Sequence, residues 1–119
     1  MPVPELPPIV ITDDSGGFVQ QYAARVLANR QRRVVIDGNC ESACTLWLMA
    51  SRVCVTPRAR MLFHAAFYAE NGQRNTAATQ WMFTRYPTGI QRLIDQHGGI
   101  YSGDVVVNYS ELRQVLPAC

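Results

Sequence analysis

In the stretch Asp37–Ser51, DGNCESACTLWLMAS, a short polar turn joins two apolar runs. Ahead of the turn, RRVVIDG (32–38) has the β-branched residues of a strand that ends in a turn. Behind it, ACTLWLMAS (43–51) is rich in leucine and methionine and predicts a buried helix. A strand, a sharp turn and a helix therefore meet at Ser42. This residue is either a helix N-cap or an activated nucleophile.

The rest of the chain alternates strand-like and helix-like segments. Strands are predicted at IVIT (9–12, read as a buried strand), RVCVTP (52–57), RMLFHAAF (60–67) and DVVVNY (104–109). Helices are predicted at FVQQYAARVLAN (18–29), at 76–99 with a restart around Pro87, and at SELRQVL (110–116). This order predicts an α/β fold with a mostly parallel sheet.

Length and composition indicate one domain. The chain has 119 residues, of which 48% are hydrophobic and 17% charged, enough apolar surface for a single core. We expect that domain at residues 9–119, after an extended proline-rich segment at 1–8. A net charge of +2 gives no argument for a nucleic-acid partner. No apolar run approaches the ~18 residues of a membrane helix. Neither a cofactor nor a metal is expected, since the spacing C-x3-C lacks a second close pair for zinc.

Two turns carry the candidate chemistry, DDSGG (13–17) and DGNCESAC (37–44). Each joins a strand end to a helix start, which is a binding position in open α/β sheets. Glycines allow close approach to backbone N–H groups, and a helix N-terminus offers unpaired ones, so the turns together predict an oxyanion hole. A serine there needs a base. His64 ends a strand and can reach the sheet edge, whereas His97 lies at a helix stop and is predicted to be a surface or capping residue.

Two longer segments carry a family resemblance. ITDDSGGFVQQY (11–22) and GNCESACTLWLMASRVCVTPRARMLFHAAF (38–67) resemble the core of the Clp peptidase proteolytic subunit, within the Clp/crotonase superfamily. The SACT, CVTPRA and FHAAF elements are closer still to small exported bacterial proteins of that superfamily. The resemblance runs from Ile9 to the C-terminus and implies a spiral of β-β-α units. We expect it to be reduced in size, because a clear first strand is missing and the segment after His64 is short.

The resemblance also implies roles for individual residues. Ser42 matches the nucleophile and His64 the general base. The backbone amides of Gly17 and Ala43 match the oxyanion donors. Alignment of the last strand and helix places Asp104 on the catalytic aspartate, which would orient the imidazole.

The third catalytic group has competitors. Asp37 and Asp95 are the other candidates, and a dyad without an acid also remains open. Glu41 adjoins the proposed nucleophile, where it would repel an oxyanion, so we expect its carboxylate to point to solvent.

The absence of lysine limits the chemistry. All eleven basic residues are arginine, so a serine activated by lysine is excluded, and an arginine cannot replace it because it stays protonated. Crotonase-type thioester chemistry uses the same backbone amides, but a serine and a histidine together favour hydrolysis. The expected function is a serine hydrolase, peptidase or esterase, acting on a peptide or an acyl ester. The alternative is a catalytically inactive binding or assembly module of the same fold. A homo-oligomer is left open.

Four cysteines suggest an oxidising compartment. They are Cys40, Cys44, Cys54 and Cys119. This favours a periplasmic or secreted protein, although MPVPELPPIVI lacks signal-peptide features, which leaves the cytoplasm open. A helix should hold Cys44 and Cys54 too far apart for a bond. We expect Cys119 to pair with Cys40 or Cys44; the alternative is free thiols buried in the core.

Overall fold

A computed structural model describes residues 5–119 and shows an α/β protein built on one mixed five-stranded sheet. Residues 5–8 have no regular secondary structure, and the rest of the predicted extended segment lies outside the described residues. The elements are β1 (Ile9–Asp14), α1 (Val19–Ala28), β2 (Arg33–Glu41), a 3₁₀ helix called the elbow helix (Ser42–Met49), β3 (Arg52–Val55), β4 (Arg60–Phe63), α2 (Thr76–Arg85), α3 (Thr88–Gln96), β5 (Val105–Asn108) and α4 (Tyr109–Leu112).

The nine-residue strand β2 organises the sheet. It pairs in parallel with β1 along one side, and with β3 and then β4 along the other. Strand β5 is the exception, because it pairs antiparallel with β4. The prediction of an α/β fold with a mostly parallel sheet is therefore confirmed, with one antiparallel edge. The finer expectation of a Clp/crotonase spiral stays a prediction.

Gly38 lets β1 and β2 come together although the register between them shifts. The pairing slips between Ile11 and Asp13, which is the mark of a β-bulge. A Cβ at Gly38 would lie 2.0 Å from the carbonyl oxygen of Thr12. Any larger residue would therefore push the strands apart just before β2 reaches the turn at Ser42.

The elbow helix lies at the centre of the core. Its residues from Ala43 to Leu48 are all buried, and it contacts α1, α2, β2 and β4. A helix that is apolar on every side must be surrounded by protein, and this one is. The prediction of a buried helix here is confirmed, but its turns are the tighter 3₁₀ type rather than α-helical.

Strand β1 is an edge strand rather than the buried strand that its sequence suggested. Ile11 is buried, but Val10 is half exposed. A β-branched run is typical of any strand, and burial depends on what covers each face. Among residues 5–119, no helix is long and apolar enough to cross a membrane.

The four cysteines form two disulfides, and the expected pairing of Cys119 with Cys40 or Cys44 is wrong. Cys40 bonds to Cys44, with 5.4 Å between their Cα atoms. Cys54 bonds to Cys119, with 4.9 Å between theirs. The reason is the path of the C-terminal tail, which runs beside β3: the Val55 N–H donates to the carbonyl of Pro117 at 3.0 Å.

Removing the two disulfides should have unequal effects on stability. The Cys54–Cys119 bond spans 65 residues and the Cys40–Cys44 bond spans 4. In the chain-entropy model, the double variant Cys54→Ala/Cys119→Ala should lose about 4 kcal/mol of unfolding free energy. The matched variant Cys40→Ala/Cys44→Ala should lose about 2 kcal/mol. Urea denaturation followed by tryptophan fluorescence measures both losses, and equal losses would contradict this origin of the stability.

Candidate active site

Ser42 has an unusual backbone conformation. Strand β2 ends at Glu41, and Ser42 begins the elbow helix with φ 58°. Among residues 5–119 it is the only residue other than glycine with a positive φ. This left-handed conformation costs about 1–3 kcal/mol, and such residues cluster at functional sites, where the surrounding structure enforces them.

Two sets of contacts enforce the turn at Ser42. The Cys40–Cys44 disulfide joins the residue two positions before it to the residue two positions after it. The Thr45 hydroxyl donates to the Ser42 carbonyl oxygen at 2.6 Å. Because that proton is used, the hydroxyl of Tyr86 must be the donor in its 2.7 Å contact with Thr45. Burial raises the pKa of Tyr86, so this donor stays protonated.

The glycine turn 13–17 packs directly against the elbow. Gly16 has φ 93°, and its N–H donates to the Asp14 carboxylate at 2.9 Å. A Cβ on Gly16 would lie 2.7 Å from the carbonyl oxygen of Glu41 and 2.8 Å from the Cβ of Ser42. Only a glycine allows this approach, which brings the two predicted oxyanion turns together.

Asp14 is held in turn by the first turn of α1. The Tyr22 hydroxyl donates to the same carboxylate oxygen at 2.6 Å. Burial, and next the hydrogen bond to Asp14, raise the pKa of Tyr22. The carboxylate therefore accepts from a backbone amide and a protonated phenol at once, which fixes the glycine turn relative to the helix that follows it.

Ser42, His64 and Gly17 line one cleft of about 520 Å³. Its other walls come from the start of α1, from the loop after β4 and from α2. Three of its aromatic side chains are strongly exposed: Phe18, Phe67 and Tyr68. The structure thus brings together three of the five residues predicted for the site, in a volume typical of small-ligand sites.

The contacts of His64 define its tautomer. The Nδ1 atom lies 2.6 Å from the carbonyl oxygen of Ala65. A carbonyl can only accept a hydrogen bond, so the neutral ring carries its proton on Nδ1. The Nε2 atom is then the acceptor, which is the form that a general base requires. Sequence reasoning missed this role of Ala65, because a backbone carbonyl leaves no trace in residue identity.

Ser42 and His64 line the same cleft but are not hydrogen-bonded to each other within the described residues. Within residues 5–119, neither forms a side-chain hydrogen bond to the other, and Asp104 forms none with His64. Continuing the register of β4 and β5 one step beyond Phe63 and Val105 places Asp104 opposite His64. Asp104 is exposed and does not line the cleft. Its role as the third catalytic group stays a prediction.

Ala43 is also absent from the cleft lining, because its side chain is fully buried. Its backbone is the relevant group. The Ala43 nitrogen lies 3.1 Å from the position that a Cβ on Gly16 would take, which places it beside the glycine turn. As the second residue of its helix, it carries an N–H without an intrahelical acceptor.

Asp37 and Asp95, the other candidates for the third catalytic group, do not line the Ser42 cleft. The carboxylate of Asp37 accepts from the guanidinium of Arg58 at 2.7 Å and from the hydroxyl of Thr56 at 2.7 Å. These two bonds hold the pKa of Asp37 below its usual range. Asp95 lines a different cleft.

The carboxylate of Glu41, the residue before Ser42, is paired with neighbouring side chains. Its carboxylate accepts from the side chain of Asn39 and lies 3.7 Å from the guanidinium of Arg60. It does not line the Ser42 cleft. It was expected to point freely to solvent, whereas the Glu41 side chain is only 29% exposed. The pairing with Asn39 and Arg60 weakens any repulsion of an oxyanion at Ser42.

His97 has the capping position predicted for it. It is the C-cap residue of α3, and its Nε2 atom lies 2.8 Å from the carboxylate of Glu111. This leaves His64 as the histidine of the cleft.

No protein-family model matches this chain, and a search of curated proteins finds no match. The site is therefore defined by its geometry. Two features of the site were absent from the sequence-based prediction: the Cys40–Cys44 disulfide across the turn at Ser42, and the hydrogen bond between Thr45 and Tyr86. The C-x3-C spacing was a visible signal for the first, but nothing in the sequence pairs Thr45 with a residue 41 positions away.

Replacing Gly16 by alanine should disturb the elbow, whereas the same change at Gly72 should not. Both glycines have positive φ, so both variants bear a similar conformational cost of about 1 kcal/mol. Only at Gly16 would the new methyl group overlap the elbow; at Gly72 it meets nothing within 4 Å. We expect Gly16→Ala to lose about 1–3 kcal/mol more than Gly72→Ala.

Thermal unfolding of the two glycine variants, followed by circular dichroism, makes this comparison. Equal melting temperatures would mean that the glycine turn does not pack against Ser42 in solution.

Proposed function

We propose that the protein is a serine hydrolase that acts on an ester or amide bond through Ser42 and His64. One observation carries this proposal. The single left-handed serine of residues 5–119 opens onto the same cleft as a histidine whose Nε2 atom is left as an acceptor. A serine needs such a base because its hydroxyl is a weak nucleophile.

The proposed reaction has two halves. In the first, the Ser42 Oγ atom attacks the acyl carbon, its proton passes to His64 Nε2, and the amides of Gly17 and Ala43 bind the oxyanion. The intermediate expels the leaving group, which takes the proton from His64, and an acyl-serine remains. In the second, a water gives its proton to His64 and attacks the acyl-serine, and the proton then returns to Ser42 as the acid is released.

The Ala65 carbonyl takes the place of the acid in this proposal. In a triad, an aspartate accepts the Nδ1 proton and orients the ring. Here the carbonyl of Ala65 accepts it at 2.6 Å, and no carboxylate of residues 5–119 hydrogen-bonds His64. We therefore favour a Ser42–His64 dyad oriented by the backbone, which was one of the arrangements that the sequence left open.

The walls of the cleft indicate an apolar acyl group or side chain. Aromatic rings of Phe18, Phe67 and Tyr68 surround it. Among residues 5–119, Glu70 is the one Asp, Glu, Lys or Arg that lines it, so a negatively charged group beside Ser42 would be disfavoured. The reaction would take place in an oxidising compartment, such as the periplasm or the cell exterior, because both disulfides are closed.

A catalytically inactive binding module of the same fold is the second candidate. The observation in its favour is that Ser42 and His64 are not hydrogen-bonded to one another within the described part of the chain. Catalytic hydrogen bonds are often long in unliganded enzymes and shorten with substrate, so a chemical test is needed to decide between the two.

Labelling by a fluorophosphonate probe separates these two candidates. We expect the wild-type protein to react covalently and Ser42→Ala to lose all labelling, since the phosphorus bonds to Oγ. Ser51→Ala changes an exposed serine outside the cleft and is the matched control. Intact mass spectrometry counts the adduct. A folded wild-type protein that stays unlabelled between about pH 6 and pH 9 would favour the binding module, because that range spans the usual imidazole titration.

Asp104→Asn tests whether the backbone carbonyl replaces the acid. A triad aspartate contributes about 10⁴-fold to the rate. We expect less than a tenfold loss of labelling rate in Asp104→Asn, and a loss of about 10²-fold or more in His64→Gln. The rate is measured from the time course of probe incorporation. A loss in Asp104→Asn as large as that in His64→Gln would establish Asp104 as the third member.

A further inference from the structure

A second cleft, of about 580 Å³, lies between β2, β3 and the C-terminal tail. Within residues 5–119, it shares no lining residue with the Ser42 cleft. One wall is the tail, which the Cys54–Cys119 disulfide fastens to β3. The Cys119 N–H also donates to the carbonyl oxygen of Val55 at 3.0 Å. One side of the cleft is therefore the C-terminal tail, held in place by a disulfide and hydrogen bonds, and the other side is the sheet.

The floor of this cleft is apolar. In the parallel pairing of β2 with β3, Val35 lies next to Cys54, and both line the cleft. Leu48, Val53 and Leu116 also line the cleft but are nearly inaccessible to solvent. The apolar surface open to a ligand therefore comes from Val35, Cys54 and the exposed tail residues Pro117 and Ala118. Such a surface favours an apolar ligand group, at roughly 25 cal/mol for each Å² removed from water.

Two arginines stand side by side at one end of the cleft. Arg33 and Arg52 are register partners on β2 and β3, and both line the cleft. Like charges in this arrangement destabilise a sheet. Arg52 is partly neutralised, because it forms an ion pair with Glu5 at 2.7 Å and donates to the Gln31 carbonyl at 2.8 Å.

Arg33 has no such compensation. Within the described part of the chain, its guanidinium forms neither an ion pair nor a side-chain hydrogen bond. An anion placed at this end of the cleft would neutralise it and screen it from Arg52. A carboxylate suits the position, since its two oxygens match the paired N–H groups of a guanidinium.

We propose that this cleft binds a medium-chain fatty acid, with the carboxylate at Arg33 and the alkyl chain along Val35 and Pro117. Charge complementarity selects the head group and the apolar floor selects the chain. The volume of the cleft falls within the range of small-ligand sites. The site is separate from Ser42 and does not depend on the proposed hydrolase activity.

Titration with decanoate, kept below its micelle-forming concentration, tests this site. Two-dimensional NMR of the wild-type protein should show saturable shifts at Leu48, Val53 and Leu116. Arg33→Gln should weaken decanoate binding about fivefold, as expected for one exposed ion pair. Arg92→Gln changes an exposed arginine on α3 outside the cleft and should leave the affinity unchanged. Decanol, which has the same chain without the charge, should bind more weakly to the wild type.

Three outcomes would overturn the proposal. The first is the absence of saturable shifts with decanoate. The second is an equal loss of affinity in Arg33→Gln and Arg92→Gln, which would mean a general attraction to basic surface. The third is shifts confined to Ala66, Ala78 and Met82, which would place the fatty acid in the Ser42 cleft instead.

Discussion

The left-handed backbone at Ser42 holds together the end of β2, the glycine turn and the elbow helix. A serine adopts φ 58° only when its surroundings compensate the strain. Here a disulfide closes the turn from Cys40 to Cys44. Gly16 packs against the same turn, at a position where any side chain would collide with Glu41 and Ser42. β1, β2 and the elbow helix all meet at this turn. The same turn therefore opens Ser42 to the cleft and connects the sheet to the buried elbow helix.

The core and the candidate site are therefore one structure. The elbow helix is buried on all sides, and the Tyr86 hydroxyl at the end of α2 reaches it through Thr45. Phe63 packs edge-on against the ring of Tyr86, with 5.2 Å between the ring centroids. Since His64 directly follows Phe63, this packing connects the end of β4 next to His64 with Tyr86, the residue that anchors the elbow helix.

Much of the fold was predictable because local pattern decides it. Alternating β-branched and helical segments specify an α/β sheet, and the glycine turn at 13–17 was expected beside the elbow. The candidate site was predictable in part for the same reason: strand ends meet at one edge of a sheet, so Ser42, Gly17 and His64 were expected in one place. The burial of β1 was misjudged, since a β-branched strand does not reveal which of its faces is covered.

Local pattern is enough to give the order of the elements, the turns that need glycine, and the exclusion of a lysine base. Three features appear only in the folded chain: the disulfide pairing, the group that binds His64 Nδ1, and the absence of Asp104 from the cleft lining. The physical reason is that periodicity and turn chemistry act between residues close in the chain. The path of the tail beside β3 depends on how distant segments pack, which no local pattern contains. Ala65 adjoins His64 in the chain, but its backbone carbonyl is common to every residue and so gives no signal in the sequence.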